Sequence, residues 1–106
     1  MRDLRSKVVL ITGAGGGIGR AIADEFARAG AKLVLTDLPA AISLLKRDYP
    51  DQVVLSLDVT DAKSIAKVRD EVEKKLGGVS VLINNAGTVF GGALSSVPFE
   101  KHRFTF

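Results

Sequence analysis

Apolar residues along this chain follow two alternating patterns. Four continuous runs rich in Val, Leu and Ile predict strands covered on both faces, and they span residues 7–12, 32–36, 53–57 and 79–83. Between these runs, apolar side chains recur every three or four residues, which predicts amphipathic helices. We expect the first helix over 18–29, the second over 40–47, and the third from a cap at Thr60 or Asp61 to Gly77.

The same spacing predicts which side chains each helix buries. The expected buried stripe of the first helix consists of Ile18, Ile22, Phe26 and Ala29. Those of the second and third helices consist of Ile42 and Leu45, and of Ile65, Val68, Val72 and Leu76. Each helix therefore has one face suited to packing on a sheet.

Strands and helices that alternate in this way form parallel sheets with right-handed crossover connections. We predict an α/β fold, a doubly wound Rossmann-like parallel sheet of four strands in the order 3-2-1-4. Residues 1–87 would form a βαβαβαβ unit, and residues 88–106 a loop and incipient helix of an incomplete, truncated domain. In such sheets ligands bind at the carboxyl ends of the strands, at the point where the strand order reverses.

Composition excludes several classes of function. The chain has 106 residues, enough for one domain, and its net charge of +3 comes from scattered basic residues mixed with acids. This pattern argues against a nucleic-acid partner. Without cysteine and with one histidine, the sequence offers neither disulfides nor a zinc cluster, so we expect no metal. No run is apolar enough to cross a membrane, and we expect a cytoplasmic protein.

The candidate chemistry lies in a glycine-rich turn between the first strand and the first helix. The run from Gly13 to Gly19, which includes Gly16 and Gly17, would leave backbone N–H groups pointing at an anion above the helix end. Asp37 follows Gly19 by 18 positions, at the end of the second strand. This combination predicts a dinucleotide site, with pyrophosphate on the helix and ribose hydroxyls on the carboxylate.

Three motifs in order give the chain a family resemblance. Thr12-Gly13-x-x-x-Gly17-Ile18-Gly19, Asp58-Val59 after the third strand, and Asn84-Asn85-Ala86-Gly87 after the fourth resemble the signatures of the short-chain dehydrogenase/reductase family. The resemblance covers nearly the whole chain and implies a nicotinamide cofactor. With Asp37 in the ribose position, it implies NAD.

The resemblance also implies a role for each matching residue. The glycine turn would line the pyrophosphate, through Gly13, Gly16, Gly17, Ile18 and Gly19. Asp37 would bind the adenosine ribose, and Leu38 would lie beside the adenine. Asp58 and the Val59 backbone would bind the adenine edge, while Asn85, Ala86 and Gly87 would flank the ribose and brace the central strands. Two simpler alternatives stay open: Asp58 as a helix-capping acid, and Asn84-Asn85 as turn chemistry.

The family's catalytic residues have no counterpart in the sequence. They are a Tyr, a Lys four residues later and an upstream Ser, whereas the single tyrosine here, Tyr49, is followed four residues later by Val53. Ser95-Ser96 and His102 are interpreted as loop and surface residues. We therefore expect the NAD(H)-binding portion of an oxidoreductase without its catalytic residues. The alternative is a non-catalytic interaction module that self-associates through the exposed edge of its fourth strand.

Overall fold

The computed structural model describes residues 4–85. Strands and helices alternate throughout this part of the chain. Their bounds are β1 Val8–Ile11, α1 Gly17–Arg28, β2 Lys32–Asp37, α2 Pro39–Asp48, β3 Val53–Ser56, α3 Ala62–Leu76 and β4 Val81–Ile83. Each element lies within about two residues of its predicted bounds. The predictions for residues 86–106 lie outside the described residues.

The four strands form one parallel sheet in the order β3-β2-β1-β4, which confirms the predicted topology. Leu10 stands opposite Val34 of β2 and opposite Leu82 of β4. The strand order reverses between β1 and β4, so the glycine turn that follows β1 begins at this reversal. The fold therefore brings the predicted ligand site to the carboxyl edge of the sheet.

Two apolar clusters cover the two faces of the sheet. Side chains of β1 and β2 alternate between them, as successive strand residues point to opposite faces. One cluster joins the sheet to α1 and α2, through Val9, Ile11, Ala23, Leu33, Leu35 and Leu45. The other joins it to α3, through Val8, Leu10, Val34, Leu57, Val68 and Val72. Helices on both faces explain why β1 is buried along its whole length.

Local sequence signals set the helix ends. Pro39 lies in the first turn of α2, where its missing N–H costs no helical hydrogen bond. Of the two predicted caps of α3, Asp61 is the one found: its carboxylate accepts a hydrogen bond from the Lys63 N–H. Gly77 ends α3 in the left-handed conformation at φ +81°, which glycine adopts without a steric penalty.

Two residues of the stripe predicted for α1 are not in the core: Ile18, and Ala29, which is the half-buried C-cap residue. Ile18 was expected to begin the buried stripe of α1, but its relative exposure is 72%. Ile22 and Phe26 do pack on the sheet. The predicted spacing therefore holds for these two residues. However, α1 begins at Gly17, beyond the end of β1, and the first turn of α1 projects past the sheet. Ile18 instead stands at the predicted ligand site.

Candidate functional site

The glycine turn presents the uncapped start of α1 at the carboxyl edge of β1. Gly13 has a φ of +62°, a left-handed conformation that lets the chain reverse directly after the strand. The N-cap residue, Gly16, makes no side-chain cap, and no acidic residue lies in the first helical turn. The N–H of Arg20 bonds to the Gly16 carbonyl, and helix geometry leaves the N–H groups before it without helical acceptors. An anion would find donors and a favourable dipole here.

The glycines of this turn serve two different purposes. A Cβ on Gly17 would meet no atom within 4 Å, and one on Gly16 only the Gly13 carbonyl oxygen at 3.8 Å. Both residues are exposed, so they border open space that a phosphate could fill. Gly19 is buried, and a Cβ there would lie 2.4 Å from the Gly13 oxygen and 2.8 Å from Ala14 Cα. Gly19 is therefore required for packing of α1 against the turn, as well as being a predicted cofactor contact.

Asp37 is joined directly to the glycine turn. Its Oδ2 accepts a hydrogen bond of 2.8 Å from the Gly15 N–H, and its Oδ1 accepts one of 2.7 Å from the Leu38 N–H. The Ala14 N–H donates to the Thr36 carbonyl just before it. A Cβ on Gly15 would lie 2.8 Å from Asp37 Oδ2, so only glycine allows this approach. The predicted pyrophosphate and ribose positions are thus adjacent.

Two exposed apolar side chains belong to the residues predicted to contact the cofactor. Ile18 is 72% exposed at the start of α1, and Leu38 is 50% exposed directly after Asp37. Large apolar side chains are unfavourable in water, and contact with a ligand would bury them and recover that hydrophobic free energy. Their exposure suits the predicted contacts of Leu38 with adenine and of Ile18 beside the pyrophosphate.

Asp58 is positioned by its own loop. Its Oδ1 accepts hydrogen bonds from the Thr60 N–H at 2.9 Å and from the Thr60 hydroxyl at 2.5 Å. These bonds hold the pKa of the Asp58 carboxyl below its usual value. The Asp58 N–H donates to the Ser64 hydroxyl of α3. Asp58 therefore organises the entry to α3 without capping it, and the half-buried Val59 packs on the α3-side core.

Thr12 joins the carboxyl ends of β1 and β4. Its hydroxyl donates to Asn84 Oδ1 at 3.2 Å and accepts a hydrogen bond of 2.8 Å from the Asn85 N–H. The Asn85 side-chain amide donates to the Gly13 carbonyl at 3.3 Å. Asn85 thus links the end of β4 to the end of β1 and to the glycine turn. Ala86 and Gly87, the other predicted residues of this motif, lie outside the described residues.

With this geometry in place, comparison with known proteins identifies the family. A family model of short chain dehydrogenases matches residues 7–104. The chain belongs to the short-chain dehydrogenase family. It is similar to epidermal retinol dehydrogenase 2 of Homo sapiens, with 36% identity over 111 residues that cover 99% of this chain and 36% of the relative. The chain spans roughly a third to two-fifths of the length of the curated relatives it matches.

Two solved structures share the fold. A short-chain dehydrogenase from Streptomyces avermitilis is 44% identical with a TM-score of 0.68, over 76% of this chain and 31% of that one. A putative D-mannonate oxidoreductase from Haemophilus influenza, solved with bound NAD, is 30% identical with a TM-score of 0.67, over 81% of this chain and 32% of that one. Both agree with the four-stranded parallel sheet.

Tyr49 lies outside the family's catalytic pattern. It ends α2, and its hydroxyl donates to Asp24 Oδ1 of α1 at 2.8 Å. Burial, and then the hydrogen bond to Asp24, raise the pKa of the Tyr49 hydroxyl. A catalytic tyrosine of this family needs the opposite shift, from a neighbouring lysine. The structure therefore gives Tyr49 a packing role between two helices.

Two residues of the site escaped the sequence analysis. Gly15 stood in the glycine run but was not assigned a role, and its contact with Asp37 spans 22 positions. Arg20 donates from Nε to the Gly15 carbonyl at 3.1 Å, and its NH1 bonds to Asp48. The contacts of Gly15 with Asp37 and of Arg20 with Asp48 carry no signal in the sequence, because they depend on how α1 packs on β2 and α2.

Two negative observations apply to residues 4–85. Within them, no group of three or more His, Cys, Asp or Glu side chains could hold a metal ion. Over the same part of the chain, no helix combines the length and apolar content needed to cross a membrane.

Proposed function

We propose that this chain is the NAD(H)-binding portion of a short-chain dehydrogenase oxidoreductase and that it lacks the catalytic residues of that family. The observation that carries the proposal is the Asp37 carboxylate, held 2.8 Å from the Gly15 N–H beside the uncapped start of α1. An anion site and a ribose acceptor then stand side by side, as an adenine dinucleotide requires. The relative solved with bound NAD supports this assignment.

The residues at the carboxyl edge of the sheet match the pyrophosphate, the ribose and the adenine of NAD in turn. The pyrophosphate would lie over Gly16 and Gly17, where the space is open and helical N–H groups are unpaired. The adenosine ribose would lie on Asp37, and the adenine between Leu38 and the Asp58-Val59 turn. Bound there, NAD would supply hydride transfer, while this chain binds and orients the adenosine half.

Asp37 favours NAD over NADP for an electrostatic reason. Each carboxylate oxygen accepts up to two hydrogen bonds, so the bonds from Gly15 and Leu38 leave positions for two ribose hydroxyls. The 2′-phosphate of NADP would place negative charge at the same point, where it is repelled. Hydrogen bonds to a charged group contribute about 1.5–3 kcal/mol, which corresponds to NAD binding about ten- to a hundredfold tighter than NADP.

Calorimetric titration of the protein with NAD and NADP tests the proposal. We expect binding of both, a preference for NAD, and loss of that preference in Asp37→Asn, which keeps the size of the side chain and removes its charge. Glu25→Gln, an exposed charge change on α1, is the matched control and should leave the preference intact. Equal affinities of the unaltered protein for the two dinucleotides would contradict the assignment of Asp37.

The second candidate function is association through β4. Within residues 4–85, β4 pairs on one side only, with β1, and Val81, Leu82 and Ile83 are all half-buried. A strand with one open side is able to pair with another chain. Light scattering over a concentration series tests this: a dimer that dissociates in Leu82→Lys would support association, and a monomer at all concentrations would refute it.

A further inference from the structure

Both backbone polar groups of Gly15 are hydrogen-bonded to side chains. Its N–H donates to Asp37 Oδ2, and its carbonyl accepts a bond of 3.1 Å from Arg20 Nε. Glycine has the most flexible backbone of any residue, so a turn that contains five glycines would sample many orientations of this N–H. The bond from Arg20 holds the peptide unit that follows Gly15, next to the peptide unit whose N–H meets Asp37.

The Arg20 guanidinium is itself held from α2. Its NH1 bonds to Asp48 Oδ2 at 2.7 Å, and its Cζ lies 5.9 Å from the centre of the Tyr49 ring. Asp48 is also bonded by Arg47 Nε at 2.8 Å. The side chains of Arg20 and Asp48 are 28% and 30% exposed, so water screens their pair only in part. The contacts with Asp48 and Tyr49 therefore hold the Arg20 guanidinium in place where it meets the glycine turn.

The shape of the guanidinium matters for this contact. One edge of the planar group, at Nε, bonds to the Gly15 carbonyl, while the nitrogen at NH1 bonds to Asp48. A lysine ammonium is a single point donor on a flexible stem and does not reproduce two bonds in fixed directions. The arrangement is thus specific to arginine, beyond its charge.

We propose that Arg20 is a positioning residue for the dinucleotide: by fixing the Gly15 carbonyl, it sets the Gly15 N–H that orients the Asp37 carboxylate toward the ribose. This inference rests on the proposed function. When Arg20 is removed, Asp37 keeps its charge but loses its fixed direction. Binding of NAD then weakens, and the repulsion of the NADP phosphate falls as well, because the carboxylate is free to turn away.

The alternative is that Arg20 only ties α1 to α2. In that case its loss would lower the thermal stability of the protein and reduce the affinities for NAD and NADP by the same factor. The ratio of NAD to NADP affinity separates the two roles, because a general loss of stability leaves that ratio unchanged.

The test compares Arg20→Gln and Arg20→Lys with the unaltered protein by calorimetric titration of NAD and NADP. Couplings of this indirect kind are of modest size, so we expect the affinity ratio to fall at least about threefold in both variants. Arg20→Lys keeps the charge near Asp48 and guards against loss of folding in Arg20→Gln. Arg28→Gln removes one positive charge from the same helix, where Arg28 pairs with Glu25, and should leave the ratio unchanged.

A second measurement needs no cofactor. Amide hydrogen exchange at Gly15 should be faster in Arg20→Lys than in the unaltered protein, with exchange along β1 unchanged. A constant affinity ratio in a folded Arg20 variant, or unaltered Gly15 exchange, would overturn the inference while leaving the proposed function in place. An unaltered protein that binds neither dinucleotide would instead refute the proposed function.

Discussion

Asp37 and Asp58 both follow strands at the carboxyl edge of the sheet, but they are held in different ways. Asp37 is bonded to Gly15, 22 positions away on the other side of α1. Asp58 is bonded to Thr60, two positions away in its own loop. The direction of Asp37 therefore depends on how α1 packs on the sheet, whereas that of Asp58 depends on a local turn. Two acids in similar places at the ends of strands therefore differ in how strongly their orientation depends on the packing of the rest of the molecule.

After Asp37→Asn, the largest effect is expected from Gly15→Ala. The new Cβ would lie 2.8 Å from Asp37 Oδ2 and 2.9 Å from the Ala41 Cβ, so Asp37 must move. Losing the orientation of a charged acceptor should lower the preference for NAD over NADP about tenfold. Calorimetric titration of both cofactors measures it. An unchanged preference would show that the contact of Asp37 with the turn is without consequence.

Gly17→Ala makes the same substitution as Gly15→Ala, two positions later in the glycine turn. Its Cβ meets no protein atom, so folding is unaffected, and alanine is about 0.5–1 kcal/mol better than glycine within a helix. The methyl group would occupy space proposed for the pyrophosphate, which NAD and NADP share. Both affinities should therefore fall by the same factor, with the preference intact and the melting temperature unchanged or raised. A changed preference would contradict the placement of the pyrophosphate.

Asp58→Asn should have a smaller effect, of a different kind. The amide oxygen still accepts the bonds from Thr60, so the loop persists, while the contact proposed for the adenine amino group loses its charge. Because both cofactors carry the same adenine, their affinities should fall together by a few-fold. Titration of NAD and NADP into this variant, beside Asp37→Asn, checks the comparison directly. A selective loss of NAD would place Asp58 at the ribose instead.

Acid titration tests the ion pairs of Asp48 without a cofactor. Hydrogen bonds from Arg47 and Arg20 lower the pKa of Asp48 from 3.8 to about 2, and bonds from Thr60 lower that of Asp58. A depressed folded pKa contributes stability above pH 3.8, which is lost as pH falls toward the folded pKa. The difference in unfolding free energy between the unaltered protein and Asp48→Asn should therefore shrink from pH 4 to pH 2. A constant difference over this range would argue against the ion pair.

The smallest effect is expected from Tyr49→Phe. It removes the hydroxyl bonded to Asp24 but keeps the ring beneath Arg20, at a cost of about 1 kcal/mol or less. Affinity for NAD should be unchanged, and hydride transfer by the chain should stay at background with and without the substitution. Nicotinamide absorbance with a panel of alcohols and ketones measures this. Turnover that Tyr49→Phe abolishes would assign Tyr49 a catalytic role.

The sequence predicted the sheet because its signals are local. Continuous apolar runs such as Val8–Ile11 and the glycines that end the helices require no knowledge of distant contacts. Ile18 was predicted wrongly because periodicity gives the face of a helix but not where the sheet beneath it stops. Gly15 and Arg20 were missed because their partners, Asp37 and Asp48, lie 22 and 28 positions away. Only the packing of α1 on β2 and α2 brings these pairs together.

The junction of Thr12 with Asn85 has a consequence for the order of folding. Asp37 and Asp48 leave the ribosome soon after the glycine turn, so contacts with Gly15 and Arg20 close short loops. The bond from Asn85 to Thr12 closes a loop of 73 positions and cannot form until β4 has been synthesised. The Gly15–Asp37 bond closes a loop of 22 positions and needs only residues that precede α2. The Asn85 brace of the same turn depends on the chain beyond β4, so one end of the edge can form before the other.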